Sequence, residues 1–360
     1  MARTPNRTAR RKAKALERKA PQPAAPTLAT GTPTPAQTQG MVFSALPDNY
    51  TIKLKLGSDG APLMVMPGRI VLPRQMKDRL AEQSRETWYP EPDETALKDA
   101  QWMINMLADP DRYRRALTYL DRALRGTSMP VFNTPREILE TSRDVIWRKL
   151  ADVPHLTAPK CIRFSPKSPQ DFTNAFKKGN FDYPVMIRPA GTHTGRELLL
   201  ISSEKDWRSI FGMAWGGREI YMTQWTDFQN AAGEWAKIRL VITPDRIMMR
   251  HILYGEGWLI HSVDRGPEEA ERELDVLGRF DSWTRLHELG AAVRERVGLD
   301  YFGIDIGWKS DDEFVLFEAN ASMSIISRNN MPTHRRDEFE AIVTGIEDVV
   351  WKAMMKKLAL

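Results

Sequence analysis

The sequence predicts an α+β fold, preceded by an N-terminal α/β domain, on three observations. First, apolar runs of strand length, bounded by turn residues, recur from residue 159 to residue 320. Second, segments in which apolar residues have helical spacing separate many of these runs. Third, 42% of the 360 residues are hydrophobic, which is enough to bury a large core divided into two or three units.

The first 40 residues are predicted to form a disordered basic tail and a Pro/Ala/Thr linker. Residues 1–20 contain eight Arg or Lys against one Glu, a surplus of seven positive charges. Because the whole chain carries +5, the other 340 residues carry about −2, and the basic character belongs to the tail. A solvated extension is the favoured interpretation. Contact with nucleic acid or an anionic membrane, or a transit peptide, are the alternatives.

Composition also excludes several classes of protein. Cys161 is the only cysteine, so the sequence excludes a disulfide framework and a cysteine-based zinc site and indicates a reducing compartment. The six histidines show no paired metal-binding spacing. No apolar run approaches the ~20 residues that span a bilayer. We therefore expect a cytoplasmic protein without a membrane span.

The N-terminal domain, residues 41–130, is predicted to combine short strands with helices. The runs YTIKLKL and APLMVM indicate the strands. Residues 107–126 indicate a helix, in which Asp109 caps the start, Pro110 suits the first turn and Gly126 ends it.

A capping-box pattern marks the next segment. Thr134 and Glu137 have the spacing of that motif and predict a helical stretch that continues through Leu150. Arg143 falls inside this stretch, where pairing with a surface carboxylate is the expected role.

From residue 159 the pattern changes to strands and helices in alternation. PKCIRF, YPVMIRP and ELLLIS predict strands, and the loop AGTHTGR connects the last two. REIYMTQW, KIRLVIT and IMMRHILYG predict three more strands, and residues 267–298 predict a helical region. The body is accordingly divided into units at residues 41–130, 131–215, 216–325 and 326–360, of which the last is a C-terminal helix.

The runs FGIDIGWKS and EFVLFEAN predict an antiparallel hairpin with a polar face. A register in which paired residue numbers sum to 623 sets Asp305 opposite Glu318 and Gly303 opposite Asn320. Asp305, Glu318 and Asn320 then share one face because side chains alternate along a strand. The other face, directed to the core, is predicted to carry Ile304, Ile306, Val315 and Phe317.

Two carboxylates opposite each other on a sheet are destabilising unless one holds a proton or both bind a cation. Two carboxylates and an amide are the hard oxygen ligands that Mg²⁺ takes. The alternative is a solvated sheet face on which the carboxylates never meet. The residues alone leave both interpretations open.

The segments GIDIG and FEANAS, residues 303–307 and 317–322, resemble the Gly-x-Asp and Glu-x-Asn strands of the ATP-grasp superfamily. The runs NTPREILETSRD, YPVMIRPAGTHTG and KIRLV look like an uncharacterised bacterial branch of that family. The resemblance spans roughly residues 130–325. It implies an ATP-grasp fold, in which two α+β subdomains grip ATP between them. It also implies Mg²⁺, with Mn²⁺ as the alternative, on the ligands Asp305, Glu318 and Asn320.

The resemblance implies roles for further residues. Arg188 takes the position of a family lysine that contacts the nucleotide phosphates; it keeps the charge but changes the geometry. A second family lysine has no clear counterpart, and Lys149 and Lys160 are the candidates. The loop that would fold over the phosphates contributes Thr192, His193, Thr194 and Gly195. The segment that would contact adenine and ribose contributes Gln224, Trp225 and Asp227.

Four basic residues on the next two strands complete the predicted site. By the same resemblance Lys237 and Arg239 would face the nucleotide, with Arg239 directed at the transferring phosphate. Arg250 and His251 lie where a substrate carboxylate would approach. Without the family likeness, Trp225 is a core aromatic and His251 an ordinary strand residue, and both interpretations remain open.

The reaction that the resemblance implies is an ATP-dependent carboxylate–amine ligation. A carboxylate attacks the γ-phosphate to give an acyl phosphate and ADP, and an amine then displaces phosphate. The partners would be a small-molecule or peptide carboxylate and an amine acceptor. Two alternatives stay open: a phosphotransferase on the same fold, and a degenerate nucleotide-binding module whose partner contacts run through the basic tail.

Overall fold

The computed structural model describes residues 39–57, 60–72, 74–193, 195, 197–261, 265–329 and 331–360. The predicted basic tail, almost all of the linker, and Thr194 of the predicted phosphate loop lie outside the described residues. No helix in the described part of the chain is long and apolar enough to cross a membrane.

The described chain mixes helices with several β-sheets, which confirms the α+β class. Its strands are β1 (Gly40–Ala45), β2 (Lys53–Leu56), β3 (Pro62–Val65), β4 (Ser84–Tyr89), β5 (Trp102–Asn105), β6 (Val131–Phe132), β7 (Leu156–Thr157), β8 (Cys161–Phe164), β9 (Val185–Pro189), β10 (Leu199–Ile201), β11 (Ile220–Gln224), β12 (Trp235–Ile242), β13 (Ile247–Gly255), β14 (Phe302–Ser310) and β15 (Glu313–Asn320). Its α-helices are α1 (Arg74–Gln83), α2 (Glu94–Asp99), α3 (Arg114–Ala123), α4 (Pro135–Leu139), α5 (Arg143–Lys149), α6 (Gln170–Lys178), α7 (Pro267–Arg279), α8 (Thr284–Val297) and α9 (Arg336–Leu358). Two 3₁₀ helices cover Glu204–Gly212 and Phe280–Ser282.

The strands form three sheets and a separate hairpin. The N-terminal sheet has the order β4-β1-β5-β6 and is parallel throughout. The middle sheet has the order β10-β9-β11-β8 and is antiparallel. The C-terminal sheet has the order β13-β12-β14-β15-β7, antiparallel except for the β15–β7 pair. Strands β2 and β3 pair only with each other in the described chain.

Two large hydrophobic cores and one smaller cluster hold these sheets in the described part of the chain. The N-terminal and C-terminal sheets share one continuous core, to which α8 contributes Leu289 and α9 contributes Phe339 and Val343. The middle sheet has its own core, in which Phe172 of α6 and Trp207 pack against its strands. The middle sheet is therefore a separately packed unit beside the C-terminal sheet, an arrangement that leaves a boundary between them for a cleft.

Two of the predicted helices differ from expectation at their ends. The helix predicted over 107–126 begins only at Arg114, because Asp109 Oδ1 accepts hydrogen bonds from the amides of Asp111 and Arg112 and closes a turn before it. That carboxylate therefore caps a turn rather than α3.

The capping box forms as predicted, with the Thr134 side chain accepting from the amide of Glu137. The predicted helix through Leu150 is nevertheless wrong as one element. The first helix, α4, ends at Leu139, where the Thr141 hydroxyl donates to the carbonyl of Ile138. A second helix, α5, starts after Ser142.

The predicted register of the C-terminal hairpin is correct at its polar end and wrong beyond it. Asp305 lies opposite Glu318, and Gly303 lies opposite Asn320. A β-bulge after Asp305 then shifts the pairing, so that Ile306 faces Leu316. Phe314 and Leu316 therefore enter the large core, and the predicted core residues Val315 and Phe317 pack on the opposite side with Phe228 and Ile260.

Asn133 joins the end of β6 to the chain that leads into β14. Its side chain accepts from the amide of Tyr301 at 3.0 Å and donates to the carbonyl of the same residue at 2.8 Å. Its own amide donates to Asp300 at 2.8 Å. Asn133 is fully buried with φ of 56°, a left-handed conformation that asparagine tolerates better than most residues. These bonds attach the N-terminal sheet to the C-terminal sheet.

Replacing Asn133 by alanine should destabilise the protein by about 3 kcal/mol, since both main-chain groups of Tyr301 lose a buried partner. Urea unfolding at neutral pH measures the change. Asn174→Ala, on the exposed surface of α6, is the control and should be nearly neutral. If Asn133→Ala lowered the free energy of unfolding no more than the control does, Asn133 would not be the connection between the two sheets.

Candidate active site

A row of charged side chains crosses one face of the C-terminal sheet. The register sets His251 opposite Arg239, Arg239 opposite Asp305, and Asp305 opposite Glu318. Directly opposed residues of neighbouring strands project to the same face. Arg239 donates two hydrogen bonds to Asp305, from Nε to Oδ1 at 2.6 Å and from Nη2 to Oδ2 at 2.7 Å. The row thus brings both predicted carboxylates to one surface.

Each carboxylate of the row has a cationic partner. Lys237 Nζ lies 3.4 Å from Asp305 Oδ2, in addition to the paired bonds from Arg239. Arg143 forms a salt bridge with Glu318 and also donates to the carbonyl of Phe317. The predicted repulsion between the two carboxylates is therefore offset by three basic side chains.

Burial and these cations shift the pKa values of the two carboxylates in opposite directions. Burial by itself would raise the pKa of Asp305, which is only 4% exposed, but Arg239 and Lys237 outweigh it and hold the pKa well below its usual value. Burial likewise opposes ionisation of Glu318, and Arg143 with His193 lowers its pKa on balance. Both acids are therefore ionised at neutral pH.

Arg143 is a site residue that the sequence did not reveal. It was expected to pair on the surface, yet it reaches β15 across 175 positions of the chain and its side chain is only 20% exposed. The available signal was its place in the first turn of α5, where the helix dipole favours acidic rather than basic residues. A cation placed there against the dipole indicates a partner elsewhere in the fold.

A cavity lies between the middle and C-terminal sheets, with one polar end and one apolar end. Its polar end is lined by Arg143, Arg188, His193, Lys237, His261, Asp305 and Glu318. Its apolar end is lined by Met186, Leu198, Trp225, Phe228, Trp258, Ile260, Val315 and Phe317. Trp225 and Trp258 meet edge to face, with ring centroids 5.0 Å apart and planes at 77°. The cavity can therefore take a ligand that is aromatic at one end and anionic at the other.

Arg188 and the loop that follows it cover the polar end. Arg188 donates to the hydroxyl and the carbonyl of Thr192, and that hydroxyl donates to the carbonyl of Pro189 at 2.7 Å. Burial and the charge of Arg143 lower the pKa of Arg188 to about 10, so it remains protonated at neutral pH.

Gly195 closes the loop against the far side of the cleft. Its φ is +65°, and a Cβ atom there would lie 2.1 Å from Nε2 of His261, so only glycine fits. His261 was also missed by the sequence analysis, since its segment carries no motif. Burial, followed by the charges of Lys237 and Arg188, lowers its pKa.

The N-terminal domain holds the other end of the same loop. The amide of Gly191 donates to Asp111 Oδ2 at 3.1 Å, and Arg112 donates to the carbonyl of Gly191. His193 Nε2 lies 2.9 Å from Oδ2 of Asp109, a carboxylate that is 2% exposed. The loop predicted to cover phosphates is thus fixed by residues 109–112, which the sequence predicts only as the start of a helix.

Four residues predicted to contact the nucleotide, Thr192, Gln224, Asp227 and Arg239, are not among the described residues that line this cavity. Thr192 lines a smaller cavity, and Arg239 is bonded to Asp305. Gln224 donates from Nε2 to the carbonyls of Asp182 at 2.9 Å and Pro184 at 3.2 Å. Asp227 is exposed, and its Oδ1 accepts from the amide of Gln229 at 3.0 Å. Both side chains satisfy nearby backbone groups, so their predicted roles find no support in this geometry.

Arg250 and His251 also occupy positions other than the cavity wall. Arg250 is buried and donates to the carbonyls of Ile325 and Ser327, which fixes the chain after β15. His251 lies beside Arg239 in the row, and its Nε2 has no hydrogen-bond partner among the described residues. Burial and then Arg239 keep the pKa of His251 well below its usual value, so its imidazole is neutral.

Asn320 completes the predicted ligand set at the edge of a second, smaller cavity that also includes Glu318 and His193. Its Oδ1 accepts from the amide and the hydroxyl of Ser322, at 3.0 and 2.9 Å. Among the described residues, no three His, Cys, Asp or Glu side chains group closely enough to hold a metal ion. An ion at Asp305, Glu318 and Asn320 would thus need ligands from water and from substrate phosphates, the usual situation for Mg²⁺.

No protein-family model matches the sequence, and no curated protein matches it. Among solved structures, the chain is similar to N5-carboxyaminoimidazole synthetase from Staphylococcus aureus complexed with ADP, at 11% identity and a TM-score of 0.47, over 86% of this chain and 78% of that one. It is similar to the RimK domain ATP-grasp protein from Sphaerobacter thermophilus, at 15% identity and 0.46, over 86% and 99%. It is also similar to D-alanine–D-alanine ligase from Bacillus anthracis, at 12% and 0.44, over 89% and 99%. Identities this low, with TM-scores below 0.5, do not transfer an activity to this chain.

The paired carboxylates predict a specific acid dependence of stability. Since the pKa of Glu318 is lower in the folded chain, its ion pair stabilises the protein above the unfolded pKa of about 4 and is lost as pH falls further. Glu318→Gln should therefore lower the free energy of unfolding at pH 7, by about 3 kcal/mol, because Arg143 stays buried without its counter-ion.

The difference in the free energy of unfolding between wild type and this variant should shrink as the pH falls. Denaturant unfolding at several pH values measures this difference. Glu313→Gln, on the exposed start of the same strand, is the matched control and should show no such convergence. A constant difference at every pH would show that the ion pair contributes nothing.

Proposed function

We propose that this protein is an ATP-dependent carboxylate–amine ligase of the ATP-grasp type, which forms an acyl phosphate and releases ADP. The observation that carries the proposal is the two-ended cavity between the middle and C-terminal sheets. It joins an aromatic slot to a cluster of buried basic side chains and carboxylates. The resemblance of GIDIG and FEANAS to the family's metal-binding strands supports the same reaction.

The polar end has the charge that a polyphosphate requires. Three cations, Arg143, Arg188 and Lys237, line this end together with the carboxylates Asp305 and Glu318. Arg239 pairs with Asp305 from outside the lining, so these six groups together carry a surplus of two positive charges. Because most of these side chains are shielded from solvent, salt screens their field less than it would at the surface. A triphosphate entering this end would neutralise the surplus.

The apolar end has the shape of a base-binding slot. Trp225, Phe228 and Trp258 present ring faces and edges there, and Met186 and Leu198 close the slot from the middle sheet. Aromatic and aliphatic walls of this kind suit a flat nucleobase, whose burial contributes affinity without further charge.

Asp305, Glu318 and Asn320 would hold Mg²⁺, or Mn²⁺ in its place. Their oxygens fit a hard divalent ion, and such an ion supplies charge neutralisation at the phosphates. Arg239 and Arg143 already bind the two carboxylates, so they stand within reach of whatever those acids bind. Arg143 also provides the upstream cation for which the sequence offered only Lys149 and Lys160.

The residues of the chain then have distinct tasks in the reaction. Arg239 and Arg188 offset charge on the transferring phosphoryl group while the substrate carboxylate attacks it. The loop fixed at Gly191 and Gly195 covers the polar end and excludes water, which protects the acyl phosphate from hydrolysis. His251, expected where the substrate carboxylate would approach, lies outside the cavity wall, so we assign no proton transfer to it.

Asp305→Asn and Glu318→Gln should each reduce ADP release at least about a hundredfold, since each removes a charge from the reacting centre. The assay offers pools of amino acids and peptides at millimolar Mg²⁺, and circular dichroism checks that the variants fold. Asp311→Asn, in the exposed turn of the same hairpin, should keep full activity.

The products of the same assay separate the candidate reactions. An amide with ADP is the expected outcome, whereas a phosphorylated hydroxyl would identify a phosphotransferase. Full activity of either carboxylate variant would remove that residue from the site, and tight ATP binding without turnover on any carboxylate would indicate a binding module.

Arg188→Ala should raise the KM for ATP tenfold or more, corresponding to about 1.4 kcal/mol of lost phosphate contact. Arg188→Lys should retain most of the affinity because the charge is kept. Arg208→Ala, on the exposed side of a 3₁₀ helix, is the control. An unchanged KM in Arg188→Ala would place the phosphates elsewhere.

A further inference from the structure

We propose that the β2–β3 hairpin is the surface through which two copies of this chain associate. Six of the eleven large hydrophobic side chains that are exposed in the described chain lie between residues 50 and 64. They are Tyr50, Ile52, Leu54, Leu56, Leu63 and Met64. A cluster of this kind on a soluble surface indicates an interaction site, whereas scattered single residues do not.

The hairpin has one face that is entirely apolar. Its register sets Leu54 opposite Met64 and Leu56 opposite Pro62, so these four side chains share a face. Leu54 and Leu56 are 75% and 79% exposed. Ile52, two residues before Leu54 in the extended chain, continues the same face.

The basic residues of the hairpin lie on the opposite face. Lys53 and Lys55 alternate with the two leucines along β2, opposite Val65 and Leu63. Two copies can therefore stack their apolar faces without burying a lysine, and all four lysines stay in water. An anionic membrane or an acidic partner would instead require the positive charges at the contact face. The distribution of charge thus favours a second copy.

Among the described residues, no other strand supports the hairpin. Every residue of β2 is exposed, and neither strand joins another sheet in the described residues. A two-stranded hairpin alone is marginally stable in water. Its base is nevertheless fixed, because the amide of Asp48 donates to the carbonyl of Arg112 at 2.7 Å and the Tyr113 hydroxyl donates to Pro67 at 2.8 Å. Stacking on a second hairpin would supply the missing support.

The size of the face sets the strength of the contact. Large apolar side chains bury roughly 60–120 Å² each, so five of them give roughly 300–600 Å² per copy. The area buried on the two copies together is then at most roughly 1,200 Å², which is about the lower limit for a specific interface. A two-fold contact of this size should give a dimer that dissociates on dilution.

Sedimentation equilibrium of the full chain over a range of concentrations tests the proposal. The mass should rise from 41.2 kDa towards twice that value as concentration increases. The double variant Leu54→Glu/Leu56→Glu should remain monomeric throughout. The matched control, Lys53→Glu/Lys55→Glu, changes the opposite face of the same strand and should still dimerise. Thermal unfolding verifies that both variants fold.

Oxidative cross-linking tests the geometry independently. Leu54→Cys should form an intermolecular disulfide, and Lys55→Cys should not, with the native Cys161 buried in both. A chain that is monomeric at every concentration would overturn the proposal, and so would dimers that survive the leucine variants or are lost equally in the lysine variants. Binding of the monomer to anionic vesicles through the hairpin would also overturn it. None of these measurements involves nucleotide, so the result is independent of the proposed ligase activity.

Discussion

The compensation of buried charge across β12, β14 and β15 is the constraint on which the rest of this structure depends. A carboxylate as enclosed as Asp305 is tolerated only when its charge is matched. Here the matching groups come from two elements: Arg239 and Lys237 from the neighbouring strand, and Arg143 from a helix that is distant in sequence. The contact of α5 with β15 and the pairing along the row both satisfy these two acids.

The same compensation explains how one cluster can be stable and still attract an anion. The acids need fewer positive charges than the site provides, so the basic groups are held in place by the carboxylates and keep unmatched charge. Arg188 adds to this excess, since its hydrogen bonds within the described part of the chain go to Thr192 and not to a carboxylate, and burial lowers its pKa to about 10. Preorganised cations of this kind need little rearrangement when a phosphate arrives.

Much of the architecture was readable from the sequence because local patterns determined it. The predicted strand runs and the Thr134 capping box act over a few residues and appear close to where they were predicted. The four strands of the N-terminal sheet, β1, β4, β5 and β6, were not predicted. The bulge after Asp305 was not readable, since Phe314, Val315, Leu316 and Phe317 are all apolar and offer no alternation that would fix a register. Tertiary packing therefore decides which two of the four enter the large core.

The site residues likewise fall into those that local motifs predicted and those that only the tertiary structure revealed. Asp305, Glu318, Arg188, Lys237 and Trp225 were identified from motifs and reach one cavity. Arg143 and the acidic turn at residues 109–111 were missed because their contacts join segments far apart in sequence. Gln224 and Asp227 were assigned by position in a family pattern, and that pattern contains no information on the backbone groups that occupy their side chains.

The turn at residues 109–113 contacts two segments that are distant in sequence. Through Asp111 and Arg112 it secures the loop over the polar end of the cavity, and through Arg112 and Tyr113 it secures the base of the exposed hairpin. Any movement of this turn therefore shifts both at once. Five consecutive residues therefore join the cover of the cavity to the base of the exposed hairpin.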